Sequence, residues 1–210
     1  MIELVRPPNR RDGHATLARL TESARKMLES RPFDKLKLTE VAAASDVTVG
    51  AFYARFKNKQ ALLEYLYQQA VEDIGTRLDQ LLAQAELEKI DFKALAWLLF
   101  NGIAEIYARH FGVLRAMSIY SQQHPHLAAQ KREGNKILFE RGIKTLARFV
   151  ADIPHPEPEQ ALRMGLTFVI ATLRETFVLR EFTPLKQREK KLLTRELHLA
   201  FLRYLGFKED

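Results

Sequence analysis

Cysteine is absent from all 210 residues. Disulfides and thiolate chemistry are therefore excluded, and a reducing cytosol is the simplest home for the chain. No apolar run reaches the ~18 residues that a membrane span needs. The opening MIELVRPPNRRDG lacks the apolar core of a signal peptide, so a cytoplasmic location is expected. No glycine-rich phosphate loop appears, and the six histidines fall in no Ser-His-Asp order with a recognisable context. His14, His110, His155 and His198 are scattered. His124 and His126 are separated by one proline and lack a clear carboxylate partner. No catalytic site, metal or cofactor is expected.

What is present is helical. Hydrophobic residues make up 47% of the chain, enough for a substantial core, and they recur at helical spacing from end to end. The reading is all-α with about nine helices and no strand. Basic charge is unevenly placed. Residues 1–60 hold 12 Lys/Arg against 7 Asp/Glu, whereas residues 61–210 hold 21 against 19. An excess concentrated on a short N-terminal part suits a module that faces phosphates.

The informative stretch is KLTEVAAASDVTVGAFYARFKNKQ, residues 37–60. It reads as two short helices around a tight turn, followed by the start of a long helix. Leu38, Val41 and Ala42 give the first helix an apolar face. Ala42 to Ser45 are small enough for another helix to approach. Ser45-Asp46 breaks the helix, Val47 anchors the turn, and Thr48 stands at an N-cap position. A second helix over Val49–Phe56 buries Phe52 and Phe56, which are spaced i, i+4. Its other side presents Thr48, Val49, Gly50, Ala51, Tyr53 and Arg55. A short helix with a small outer face and an anchored inner face fits the DNA major groove, as in a helix-turn-helix. Asn58 is placed to cap the next helix, which sets Lys57 and Lys59 beside an anion-attracting terminus.

Val41-Ala42, Val47-Thr48, Gly50, Phe52-Tyr53, Phe56, Lys59 and Leu62 resemble, in order and spacing, the DNA-binding signature of TetR-type (tetracycline-repressor-like) transcriptional regulators. Two departures stand out. Asp46 occupies a place where that family usually has glycine, which predicts a strained turn. Arg31-Pro32 replaces the glycine that commonly ends the first helix.

The resemblance implies three regions: a flexible basic arm over 1–11, a helix-turn-helix DNA-binding domain over 12–75, and a helical effector-binding and dimerisation domain over 76–210. It implies a regulator, a repressor in the simplest case, that binds a palindromic operator as a homodimer and is released by a small molecule. Thr48, Val49, Gly50 and Ala51 are then expected near base edges. Tyr53, Lys57, Lys59 and Thr39 are expected at phosphates.

Along the chain, Asp12 is expected to cap a first helix running to Ser30. One helix is expected from Asn58 to Ala85, with Gly75 a weak point inside it. Further helices are expected over Asp91–His110, Val113–Gln123, Pro125–Val150, Glu159–Arg180 and Pro184–Leu205. Gly112 is read as a break, and the proline-rich 153–158 as a loop. The last two helices occupy the positions that pair between subunits in the family. Leu162, Leu166, Val169, Leu173, Leu193, Leu197, Phe201 and Tyr204 could supply that stripe or could be intrachain core. Trp97, Phe100, Tyr107, Met117, Tyr120, Phe168 and Thr172, with Phe111 and Phe139, are candidate linings of an effector pocket. Arg109, Arg115 and Arg174 could hold an acidic group. A largely apolar lining favours a lipophilic effector. The competing reading is an all-α enzyme or lipid carrier whose N-terminal hairpin is purely structural. It would show a pocket with paired titratable groups.

Overall fold

The computed structural model describes residues 11–180 and 189–208. The expected basic arm over 1–11 therefore lies almost wholly outside the described residues. Among those described, the chain is α-helical with no strand, as the apolar periodicity predicts. The eight α-helices are α1 (Arg11–Ser30), α2 (Leu38–Ala44), α3 (Val49–Tyr53), α4 (Lys59–Glu88), α5 (Phe92–Tyr120), α6 (Pro125–Leu146), α7 (Pro158–Arg174) and α8 (Lys190–Tyr204). No described helix is long and apolar enough to cross a membrane.

Two compact units form. Among the described residues, the first gathers 11–72 together with His110–Arg132, and the second gathers Asp73–Arg109 with 133–180 and 189–208. The chain leaves the first unit after Glu72. It then returns, so that the C-terminal part of α5 and the start of α6 belong to the first unit.

In the first unit, α1 buries Leu20, Ala24 and Leu28 against Phe52, Phe56, Leu62, Leu63 and Met117. Among the described residues the helix is already formed at Arg11. Arg31-Pro32 ends α1, and a single 3-10 turn over Phe33–Lys35 carries the chain to α2. Phe33 folds back into the core. The glycine expected at this helix end is not needed, because the turn leads out through extended backbone at Pro32 and Leu36.

Gly112 does not break the chain. α5 runs through it without interruption for 29 residues, so one helix stands where the sequence reading set two. A glycine inside a helix costs only about 1 kcal/mol, and the apolar residues on both sides supply enough burial to carry the helix past it. The reason for glycine there is close approach. A Cβ on Gly112 would lie 2.6 Å from the backbone carbonyl of Leu28 in α1.

In the second unit, α4, α5, α6, α7 and α8 enclose a core that includes Phe92, Leu99, Phe100, Leu146, Leu166, Leu173 and Phe201. Asp91 caps α5 by accepting the Ala94 N–H at 2.8 Å. α6 gives way to a 3-10 stretch over Ala147–Asp152, so it is shorter than the expected 125–150. α7 ends at Arg174, and Glu175–Leu179 forms a π-helical turn stopped by Arg180 at φ +60°. The expected start of the last helix at Pro184 lies outside the described residues. α8 ends in a two-bond C-cap. Gly206, at φ +87°, sends its N–H to Arg203 O, and Phe207 N–H reaches Leu202 O. α7 and α8 meet closely at Gly165, where a Cβ would sit 2.8 Å from the Phe201 ring.

Candidate nucleic-acid interface and effector cavity

The helix-turn-helix is built by α2, a four-residue turn (Ser45 to Thr48) and α3. α2 ends in the same two-bond cap as α8, with Asp46 N–H bonding Ala43 O and Val47 N–H bonding Ala42 O, each at 3.1 Å. The left-handed position of this cap falls on Asp46, at φ +52°, so the predicted strain is present. Its ion pair with Arg19, at 3.7 Å and fully exposed on the Asp46 side, offsets little of it. Asp46→Gly is therefore expected to raise stability by about 0.5–1 kcal/mol, read as an increase in melting temperature with unchanged helicity.

Thr48 caps α3 as its position implies, its hydroxyl accepting the Ala51 N–H at 3.1 Å. α3 is shorter than the expected Val49–Phe56 and ends at Tyr53. Phe56 still reaches the core. It and Phe52 are fully buried, with ring centroids 5.4 Å apart. These two rings clamp the short helix, so its orientation is set by the core and not by its own length.

The side of α3 turned away from the core carries Val49, Gly50 and Tyr53, with Tyr53 half exposed. Thr39, Thr48 and Lys57 are exposed as well, and Ala51 is partly covered. Every predicted DNA-contact residue except Ala51 and Lys59 thus has an open side chain.

Lys59 corrects the sequence reading. Its ammonium donates to three backbone carbonyls, Phe33 O at 3.0 Å, Asp34 O at 3.1 Å and Leu36 O at 3.2 Å. It also lies 4.8 Å from the centroid of the Phe33 ring. All three donors of a lysine are used, so the group ties the start of α4 to the turn ahead of α2. Nothing in the local sequence announces this, because the carbonyls lie 23 to 26 residues away. Asn58 behaves as predicted and caps α4 through the Ala61 N–H at 2.8 Å.

The second unit contains a cavity of about 330 Å³. Ile74 and Leu78 of α4, Leu99, Ile103 and Tyr107 of α5, Asn135, Lys136, Leu138, Phe139 and Gly142 of α6, and Leu166, Ile170 and Arg174 of α7 line it. Of the seven residues expected as the principal lining, only Tyr107 is there. Phe100 is fully buried in packing against Phe201 and His198. Met117 and Tyr120 belong to the first unit. Trp97 and Phe168 are exposed, and the Thr172 hydroxyl bonds the Phe168 carbonyl of its own helix. Phe139 and Arg174, also named from sequence, do line the cavity; Asn135 and Lys136 were missed. Burial raises the Tyr107 phenol pKa, and the Arg174 charge works in the opposite direction.

The residues expected at a dimer interface are mostly spent inside their own unit. Leu162, Leu166, Val169, Leu173 and Phe201 are buried in the core, and Leu193 and Leu197 pack against it. Tyr204 alone among them is open. The opposite face of α7 and the start of α8 expose Met164 (43%), Phe168 (53%) and Leu192 (55%). Of the two readings the sequence leaves open, the burial of the 162/166/169/173 stripe favours intrachain core.

Among the described residues, no group of three or more His, Cys, Asp or Glu is arranged to hold a metal.

An all-α chain whose N-terminal part is a capped helix-turn-helix with an open outer face has the architecture of a DNA-binding regulator. Residues 20–66 match the family model described as bacterial regulatory proteins, tetR family. The chain carries the N-terminal helix-turn-helix domain of the tetR family, and its fold is the tetR-family fold. Similar solved structures cover nearly the whole chain. The fatty acid degradation regulator FadR from Bacillus halodurans is 16% identical over 92% of this chain and 97% of its own, with a TM-score of 0.71. The TetR-family regulator PfmR from Thermus thermophilus is 18% identical over 91% of this chain and 100% of its own, at 0.68. The ketosteroid transcriptional regulator KstR2 of Mycobacterium tuberculosis is 15% identical over 97% and 98%, at 0.64. No curated protein matches the sequence.

Proposed function

We propose that the protein is a ligand-responsive repressor that binds a two-fold operator as a homodimer and releases it when a lipophilic molecule fills the cavity of the second unit. The observation that carries this reading is the open face of α3, held in place by the buried Phe52–Phe56 pair. In the proposed complex Thr48, Val49, Gly50 and Ala51 face base edges, where the small side chains admit close approach. Tyr53 and Lys57 hold phosphates, with Thr39 beside them.

A five-residue helix reads few base pairs, so two copies spaced about 34 Å or a multiple apart supply the specificity. The exposed Phe168 and Tyr204, with ring centroids 5.8 Å apart, and the neighbouring face of α7 at Met164 are the proposed contact between copies. Exposed apolar side chains of this size favour a partner surface. The cavity has a mainly aliphatic lining and a volume in the range of small-molecule sites. The names of FadR and KstR2 concern fatty acid degradation and ketosteroids, which is consistent with a lipophilic effector here. α4 and α5 are continuous from the cavity-lining segments into the first unit, giving a shift at the cavity a route to the helix-turn-helix.

The test is binding of the purified chain to labelled DNA from upstream of its own coding region, with excess nonspecific competitor, at several salt concentrations. Competitor-resistant binding that weakens as salt rises is expected. Tyr53→Phe combined with Lys57→Ala should weaken it about tenfold and reduce the slope of log K against log salt by about 1. Unchanged affinity and slope in that double variant would remove these two residues from the interface.

A further inference from the structure

The cavity of the second unit has a direction. Along α5 its lining residues run from Leu99 through Ile103 to Tyr107, and along α7 from Leu166 through Ile170 to Arg174. α6 passes the other way, from Gly142 through Phe139 to Lys136. At one end the helices are pinned together by apolar contact. A Cβ on Gly142 would meet the Leu166 side chain at 3.3 Å. At the other end Tyr107 feels the charge of Arg174. The polar residues of all three helices therefore collect at a single end, and the rest of the lining is aliphatic or aromatic.

Arg174 is available there. Among the described residues it takes part in no ion pair, whereas the arginines on neighbouring faces are committed. Arg163 pairs with Glu140, Arg141 with Asp79, and Arg148 with Glu86. The Tyr107 hydroxyl likewise has no partner among the described residues. Arg174 is exposed at this end, so water serves its guanidinium until an anion replaces it, and the cation and phenol together form a polar rim to an apolar chamber.

We infer that the molecule held in this cavity is an amphipathic acid, with its anionic head at Arg174 and Tyr107 and its hydrocarbon body among Leu99, Ile103 and Leu166. This deepens the effector reading above and rests on it. A neutral lipophile would fill the apolar end and leave the guanidinium and phenol to water. An acid satisfies both through charge-assisted hydrogen bonds, which are the stronger kind. The head is either a carboxylate or a phosphate monoester, since both present the oxygens that a guanidinium fork recognises.

The test uses calorimetric titration of the full-length protein with decanoate, decyl phosphate and 1-decanol, three probes with one tail and different heads. Either acid is expected to bind at least about tenfold more tightly than the alcohol. Which acid is preferred identifies the head. Arg174→Gln should lose that preference while keeping the wild-type affinity for decanol, and Arg174→Lys should restore part of it. Ile103→Trp, which fills the apolar end, should abolish binding of all three. Equal affinity for acid and alcohol in the wild type, or a preference that survives Arg174→Gln, would overturn the acid assignment while leaving a lipophilic effector standing. Failure of all three probes to bind would overturn it too. DNA binding, measured separately, would show whether the regulator reading fails with it.

Discussion

Alanine at Gly112 is expected to destabilise the protein, whereas alanine at Gly75 is expected to leave it unchanged or make it more stable. The two glycines lie inside long helices, α5 and α4. By helix propensity alone each replacement should gain about 1 kcal/mol. Their surroundings decide otherwise. A Cβ on Gly75 would meet the guanidinium end of Arg141, at 2.5 Å, and that flexible exposed side chain can swing aside at little cost. A Cβ on Gly112 would meet the Leu28 carbonyl carbon and oxygen at 2.6 Å and the Glu29 nitrogen at 2.8 Å. These are backbone atoms of the last turns of α1, and they can retreat only if α1 moves.

α1 carries Leu20, Ala24 and Leu28, all buried, so its retreat loosens the core on which α3 is clamped. Overpacking of this kind costs about 1–3 kcal/mol. For a chain of this size each kcal/mol corresponds to about 2–4 °C in melting temperature. Gly112→Ala should therefore melt several degrees below the wild type and Gly75→Ala at or slightly above it. Gly112→Val should be worse than Gly112→Ala. If both alanine variants rose together, the close crossing of α1 and α5 would not be a real constraint.

Lys59→Met is expected to lower stability by about 1.5–3 kcal/mol, the range for losing hydrogen bonds to a charged group. Methionine keeps most of the apolar stem and removes the ammonium. Three carbonyls, of Phe33, Asp34 and Leu36, lose their shared donor, and the Phe33 ring loses its cation. Water can replace some of these bonds, because Asp34 and Lys59 are not fully buried, and this keeps the loss at the modest end for three bonds. The link between the start of α4 and the turn ahead of α2 then slackens.

DNA affinity should fall as a consequence, but through misplacement of α3. The two possible roles of Lys59 give opposite signatures. A phosphate contact would leave the melting temperature alone and reduce the salt slope by about 0.9. A brace would lower the melting temperature and leave the slope near its wild-type value. The geometry supports the second pattern. Lys59→Arg should recover only part of the loss, because a planar guanidinium cannot converge on three carbonyls as an ammonium does.

Much of the first unit was legible in the order of its residues. Thr48 and Asn58 cap the helices that follow them, as hydroxyl and amide side chains at those positions should. Phe52 and Phe56 are buried together because i, i+4 puts them on one face of a helical turn. Asp46 takes the left-handed conformation because the turn demands it of whichever residue stands there. These are local rules, acting over three to five residues, and they need no knowledge of distant chain. The all-α class follows in the same way from apolar periodicity.

What the sequence could not decide involves partners far apart in the chain. Gly112 has the composition of a helix break, yet it is a point of contact with Leu28. Lys59 has the look of a phosphate ligand, yet its three acceptors lie more than twenty residues earlier. Leu162, Leu166, Val169 and Leu173 form the stripe that any amphipathic helix shows. Only the packing of α7 in its own unit reveals that this stripe is already covered and that Met164 and Phe168 are the open side. Aromatic residues proved poor guides to the cavity, since a large ring such as Phe100 fills space as readily as it borders it. Periodicity shows that a side chain has an apolar surrounding. Whether that surrounding is a neighbouring helix, a cavity or a second molecule depends on how the helices cross, and that was decided only in three dimensions.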